Sequence, residues 1–152
     1  MTTTIIHDTF TLDRTYDASV AEVWKAWTDP ALRKKWFHGP AGYVESERTI
    51  DLRPGGGEVL KGHMKDGTKT SFVSTFHFIE AEHFIVSSYD MELNGKPLSS
   101  TLATVLLEPA GKGTRLRYTE QGAYLDGNPE AAASRKGGTS WHLDNLGKLF
   151  AR

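Results

Sequence analysis

Between Phe10 and Tyr16 the chain alternates Phe10, Leu12, Arg14 and Tyr16 with Thr11, Asp13 and Thr15. A period of two belongs to a strand, so this segment predicts a strand with one apolar-leaning face. The period then changes. Val20, Val23, Trp24 and Trp27 stand at i, i+3, i+4 and i+7 behind Asp17 and Ser19, either of which can cap a helix. A helix near residues 19–28 follows, burying two tryptophans. Asp29-Pro30 starts a second, shorter helix with Asp29 as its cap and Pro30 in its first turn, carrying Leu32 and Trp36 inward until Gly39-Pro40 stops it.

From about residue 44 to 124 strand-like runs are divided by turn chemistry: Pro54-Gly55-Gly56-Gly57, Asp66-Gly67, Glu80-Ala81-Glu82, Asn94-Gly95 and Gly111-Lys112-Gly113. Asn94-Gly95 is the strongest hairpin signal, because both central residues of a type I′ turn need positive φ. Five or six antiparallel strands are predicted here. Phe72, Ser74, Phe76 and Phe78 share one face of their strand, and Val73, Thr75, His77 and Ile79 the other, which predicts at least partial cover on both sides. Gly56 is expected to hold a positive φ or a close backbone approach.

The covering element is the last segment, Pro129 to Arg152, where His142, Leu143, Leu146, Leu149 and Phe150 fall within about 120° on a helical wheel. Gly137-Gly138 is awkward inside it, since each glycine costs about 1 kcal/mol relative to alanine. Either the helix breaks there or its backbone approaches a neighbour. Trp141 lies outside the apolar stripe and needs cover, from Ile5-Ile6, from the first helices or from a second copy in a homodimer.

Composition narrows the class. Eighteen Lys and Arg against nineteen Asp and Glu leave a net charge of −1 over 152 residues, which argues against a nucleic-acid or anionic-membrane binder held by bulk charge. No repeat, low-complexity tract or linker divides the chain, so 1–152 reads as a single domain. The absence of cysteine removes disulfides, thiolate nucleophiles and Cys-ligated metals. No basic-then-apolar leader opens the chain and no apolar run nears the ~18 residues of a membrane span, so a cytoplasmic protein without membrane insertion is expected.

The order strand, two helices, long meander, terminal helix carries motifs that resemble a known family. These are Arg14-Thr-Tyr, Val23-Trp24-Lys-Ala-Trp-Thr-Asp-Pro30, Trp36 with Gly39-Pro40, Asp51-Leu-Arg-Pro-Gly-Gly56, and Gly122-Ala-Tyr-Leu-Asp126 followed by Arg135 and Leu143-Asp-Asn-Leu146. The chain resembles bacterial relatives of the Hsp90-ATPase activator C-terminal domain, within the START-like superfamily of polyketide cyclases, lipid-transfer domains and the birch-pollen allergen. The resemblance implies an α+β helix-grip fold. A curved antiparallel sheet of six or seven strands would wrap around the long C-terminal helix, leaving an apolar cavity between them.

Motifs for other chemistry fail. Leu60 stands where a dinucleotide loop starting at Gly55 needs its third glycine, and Leu106 where a phosphate loop ending in Gly111-Lys112 needs its first. Ser140 sits in a helix and one residue short of a nucleophile elbow. The six histidines lack metal-ligand spacing, so no metal and no cofactor are expected. His63, His77 and His142 keep another use, since a neutral imidazole in an apolar cavity can orient a polar ligand group or act as a base.

The leading expectation is non-catalytic binding of a small apolar or aromatic molecule, with Trp36, Phe37, His63, Phe72, Tyr89, Tyr118 and Leu146 as candidate contacts. Leu146 is expected to project into the cavity toward Phe72 and Tyr89. Trp24 and Trp27, on a helical stripe, favour core packing over ligand contact, whereas Trp36, Phe37 and His38, near the expected cavity mouth, suit core and pocket wall equally. Two alternatives stay open: a chaperone-linked interaction module, as the resemblance implies, and a cyclase- or aromatase-like enzyme in which His63 and Tyr89 move protons.

Overall fold

The computed structural model describes residues 4–151. Met1 to Thr3, on which the reading of the N-terminus partly rests, and Arg152 lie outside the described residues. The elements are β1 (Ile6–Tyr16), α1 (Val20–Thr28), α2 (Pro30–Trp36), β2 (Val44–Ile50), β3 (Gly57–His63), β4 (Lys69–Glu80), β5 (Phe84–Leu93), β6 (Lys96–Ala110), β7 (Gly113–Tyr124) and α3 (Ala131–Lys148).

The strands form one antiparallel sheet in the order β1-β7-β6-β5-β4-β3-β2. Six strands are consecutive hairpins, and β1 closes the far edge by pairing with β7 from Ile6↔Tyr124 to Tyr16↔Thr114. That partner explains why β1 begins before the alternation at Phe10. A neighbouring strand satisfies the backbone of the polar His7-Asp8-Thr9 stretch, which has no apolar pattern of its own. The sheet curves around α3, giving the α+β helix-grip fold.

Ser19 resolves the ambiguity at the start of α1, its hydroxyl accepting from the Glu22 N–H at 3.1 Å. Trp27 is buried, whereas Trp24 is only half-buried. Asp29 caps α2, accepting from the N–H groups of Ala31 and Leu32 at 2.9 and 3.3 Å. The inward residues of α2 are Arg33 and Trp36, with Leu32 half-buried, which corrects the expected Leu32–Trp36 face. Arg33 is drawn in because Glu58, on β3, is buried opposite it.

Asn94 and Gly95 both take positive φ, 50° and 77°, as a type I′ turn requires. In the glycine run it is Gly55 that has positive φ, at 84°. Gly56 instead meets the second expectation, because a Cβ there would run into the carbonyl oxygen of Asp51.

Two expectations fail for identifiable reasons. On β4 the register shifts between Phe76 and Phe78, so Phe76 is buried while Phe78 is 67% exposed on the back of the sheet. A bulge inserts one residue and exchanges the faces beyond it, which a strict period of two does not anticipate. The back of β4 is also bare at Val73, 43% exposed, because the helices lie on one face alone. In α3 the helix runs unbroken through Gly137-Gly138, and no atom lies within 4 Å of a Cβ built at either. Neither a break nor a close approach accounts for these glycines; they border open space.

The C-terminal half of α3 packs the core. Leu143 and Leu146 are fully buried beside Tyr16, Val23 and Leu116, and the Tyr16 hydroxyl donates to the Leu143 carbonyl at 2.8 Å. Phe150, just past the helix, lies 5.7 Å ring to ring from Tyr16. Trp141 rests edge-on against His38, which follows α2, at 5.4 Å, and stays 40% exposed.

Candidate functional site

A cavity of about 490 Å³ separates the N-terminal half of α3 from the concave face of the sheet. Alternation on β5 supplies one wall, since Ile85, Ser87, Tyr89, Met91 and Leu93 all point inward. The end wall is a run of aromatic rings from α2 to the sheet: Phe37 to Phe72 at 5.2 Å and Phe72 to Tyr89 at 4.8 Å. The roof comes from Ser134, Arg135, Gly138, Thr139 and His142 of α3. Gly138 lines the cavity without a side chain of its own.

Glu120, on β7, is buried in the cavity wall. The Tyr89 hydroxyl donates to its Oε1 at 2.7 Å and the Tyr118 hydroxyl to its Oε2 at 2.6 Å. Arg135, from α3, donates through Nη1 to the Tyr89 oxygen at 2.9 Å and through Nη2 to Ser99 at 2.8 Å. Burial pushes the Glu120 carboxyl above its ordinary value, while the tyrosine hydroxyls and Arg135 pull it back. Burial first, then the Glu120 charge, raises both tyrosines, so their hydroxyls remain donors. An arginine, two tyrosines and a carboxylate thus form one connected polar group on otherwise apolar walls.

A second polar group sits by the short helices. Arg33 donates to both oxygens of Glu58 at 2.9 and 2.7 Å, a buried, bidentate ion pair. Its guanidinium carbon lies 4.9, 4.7 and 4.1 Å from the ring centres of Trp27, Trp36 and Phe37. Among the described residues Arg33 Nη1 has no hydrogen-bond partner, and these aromatic faces give the cation an electrostatic substitute. His142 donates from Nε2 to the His38 carbonyl at 2.9 Å. Burial pushes its imidazole down to about 4 from an ordinary 6.5, and the neutral ring packs on Phe37 at 5.2 Å.

Of the residues singled out from the sequence, Trp36, Phe37, Phe72, Tyr89 and Tyr118 meet on the cavity wall. His63 does not join them. It lies exposed at the end of β3, with Nδ1 3.1 Å from the Met64 carbonyl. Leu146 is also elsewhere, fully buried in the core about one turn beyond Leu143, the last helix residue to reach the cavity. His77 faces outward against Ser88. The sequence reading missed Glu120, Arg33 and Glu58 altogether and valued Arg135 only as part of a motif. One signal was present for Glu120: Leu116, Tyr118 and Tyr124 share its parity on β7, which makes it an acid on an apolar face.

Fold and cavity together define a helix-grip domain of the START-like class. The family described as Activator of Hsp90 ATPase homolog 1-like protein matches residues 17–151, and the chain belongs to that family. Among solved structures it is similar to Mll3558 from Rhizobium loti, with 39% identity over 95% of this chain and 98% of that one and a TM-score of 0.87. A protein from Rhizobium leguminosarum matches at 31% identity, 99% and 97% coverage and a TM-score of 0.91. CalU16 from Micromonospora echinospora shares the fold at 23% identity, with 99% and 85% coverage and a TM-score of 0.69. A comparison with curated proteins returned no match. Among the described residues no helix is long and apolar enough to cross a membrane.

Proposed function

We propose that this protein binds a small apolar or aromatic molecule in the cavity beneath α3, without transforming it, in a cytoplasmic setting. The observation that carries the reading is the cavity itself: about 490 Å³, mainly apolar and aromatic walls, and a few converging polar groups. That is the size and mixture expected of a small-molecule pocket. Trp36, Phe37, Phe72, Tyr89 and Tyr118 are the proposed contacts, joined by Glu120 and Arg135. Native mass spectrometry of freshly purified protein tests it, together with saturable quenching of tryptophan fluorescence by flat aromatic probes. A retained small molecule or saturable quenching supports binding; a solid, unresponsive interior defeats it.

One observation favours a second reading. Glu120 between two tyrosine hydroxyls is the kind of buried acid that can move protons, as in a cyclase-like enzyme. Accumulation of product from a bound probe would establish that reading over the first. The chaperone-linked module suggested by the family description predicts instead a mass shift equal to a second, different protein, and a homodimer through Trp141 predicts a doubled mass.

A further inference from the structure

We infer that the cavity selects uncharged ligands bearing a hydroxyl or carbonyl group on a ring-containing apolar body, and rejects carboxylates of the same size. The inference rests on the binding reading above and specifies its ligand class.

The charges of the wall carry it. Apart from its tyrosine hydroxyls, the ionisable side chains lining the cavity are Arg33, Arg135, Glu120, Asp126, His38 and His142. Arg33 is held bidentate by Glu58. Arg135 reaches Glu120 through the Tyr89 hydroxyl, at 2.9 and 2.7 Å. The two guanidiniums of the wall are thus balanced in number by two buried carboxylates, Arg33 by direct contact with Glu58 and Arg135 at one remove from Glu120. Hydroxyl donors aimed at both oxygens of Glu120 favour its ionised form, which accepts such bonds and needs no acceptor for a proton. The remaining carboxylate, Asp126, is exposed and adds negative charge beside the cavity. A ligand carboxylate entering this space loses its hydration and meets a wall whose two guanidinium charges are already balanced by two buried carboxylates, so no net positive charge replaces the lost water.

A neutral polar group finds partners in the same place. The Tyr118 oxygen donates to Glu120, and among the described residues no hydrogen bond is directed at it, so it can accept from a ligand hydroxyl. Thr139 lies at a long 3.5 Å from Glu120 and can turn to a ligand carbonyl. Rings stack against Phe37, Phe72 and Tyr89, and the space over Gly138 admits their bulk.

The test uses isothermal titration calorimetry at neutral pH with three probes of one ring system: 2-naphthol, 2-naphthoate and 2-naphthylmethylammonium. The expected result is saturable binding of the naphthol, with both ions weaker by at least about tenfold. Glu120→Gln leaves Arg135 without its counter-charge and should raise naphthoate affinity by about tenfold or more, narrowing or reversing the preference. If that variant does not fold, the ratio measured on the unmodified protein decides alone. Naphthoate or the ammonium binding as tightly as the naphthol overturns the charge argument and leaves the binding reading intact. Failure of all three to bind removes the binding reading and this inference with it.

Discussion

The two halves of α3 do opposite work over the same sheet. From Leu143 onward the helix is a plug: Leu143, at the edge of the cavity, and Leu146 beyond it are fully buried in one core cluster with Tyr16, Val23 and Leu116. From Ala131 to His142 it is a roof, with Ser134, Arg135, Gly138 and Thr139 over a cavity of about 490 Å³. The difference lies in side-chain volume and polarity, since the backbone is a regular helix throughout. One element can therefore anchor a fold and bound a site at once, provided the two tasks occupy different turns. Substitutions in the plug should act on stability and those in the roof on binding.

Breaking the buried ion pair by the short helices should have the largest effect. Glu58→Ala leaves the Arg33 guanidinium buried and unpaired, and a loss of about 3–5 kcal/mol is expected in urea unfolding. Replacing both partners with methionine and leucine should recover much of it, because two apolar groups leave no charge stranded.

The plug is tested next. Leu146→Ala should cost about 2–5 kcal/mol, since a fully buried leucine leaves a void its neighbours fill only in part. Leu146→Trp should cost about 1–3 kcal/mol by overpacking while leaving probe affinity in any folded fraction unchanged. A Leu146→Trp protein of full stability that has lost binding would move this residue into the roof and erase the comparison.

His142 stands at the boundary between the halves, and its effect depends on pH. Its folded value is about 4 against an ordinary 6.5, so the unfolded chain takes up the proton first as pH falls. Stability is then complete above about pH 6.5, declines through the window down to about 4 and levels off below it. The loss is at most about 3 kcal/mol from this residue. Glu120 works in the opposite sense, its raised value favouring the folded state as pH falls. Urea midpoints for His142→Gln should therefore show a flatter acid limb than those of the unmodified protein; an unchanged limb would mean that the His142 ring is not held neutral by burial.

The smallest stability change is expected in the roof and has the opposite sign. Gly138→Ala places a methyl in open space and should stabilise α3 by up to about 1 kcal/mol. Gly138→Phe should stay folded and lose saturable probe binding, because the ring occupies the cavity. Retained affinity in Gly138→Phe would show that ligands do not enter beneath this turn.

The sequence alone determined what local physics controls. Period and caps located α1 and α2 to within a residue or two, because the hydrogen bonds and apolar stripe of a helix are defined over one or two turns. Turn chemistry placed the breaks between strands, most cleanly at Asn94-Gly95, where positive φ is a property of two adjacent residues. Family motifs along nearly the whole chain supplied the helix-grip arrangement, which no local pattern dictates.

Only the tertiary structure decided which polar residues are buried and which faces are covered. Glu58 becomes a core residue because Arg33 arrives from another element, and Glu120 becomes the centre of the polar group because the Tyr89 hydroxyl reaches it from β5, carrying Arg135 of α3 behind it. Taken singly in the sequence, each reads as an ordinary surface charge, since an ion is buried when its partner lies close in space. Phe78 shows the converse, an aromatic exposed because a bulge exchanged its face. Leu146 and the glycines of α3 divide plug from roof by their depth along one helix. A helical wheel gives direction around the axis and carries no information about what lies beyond each turn.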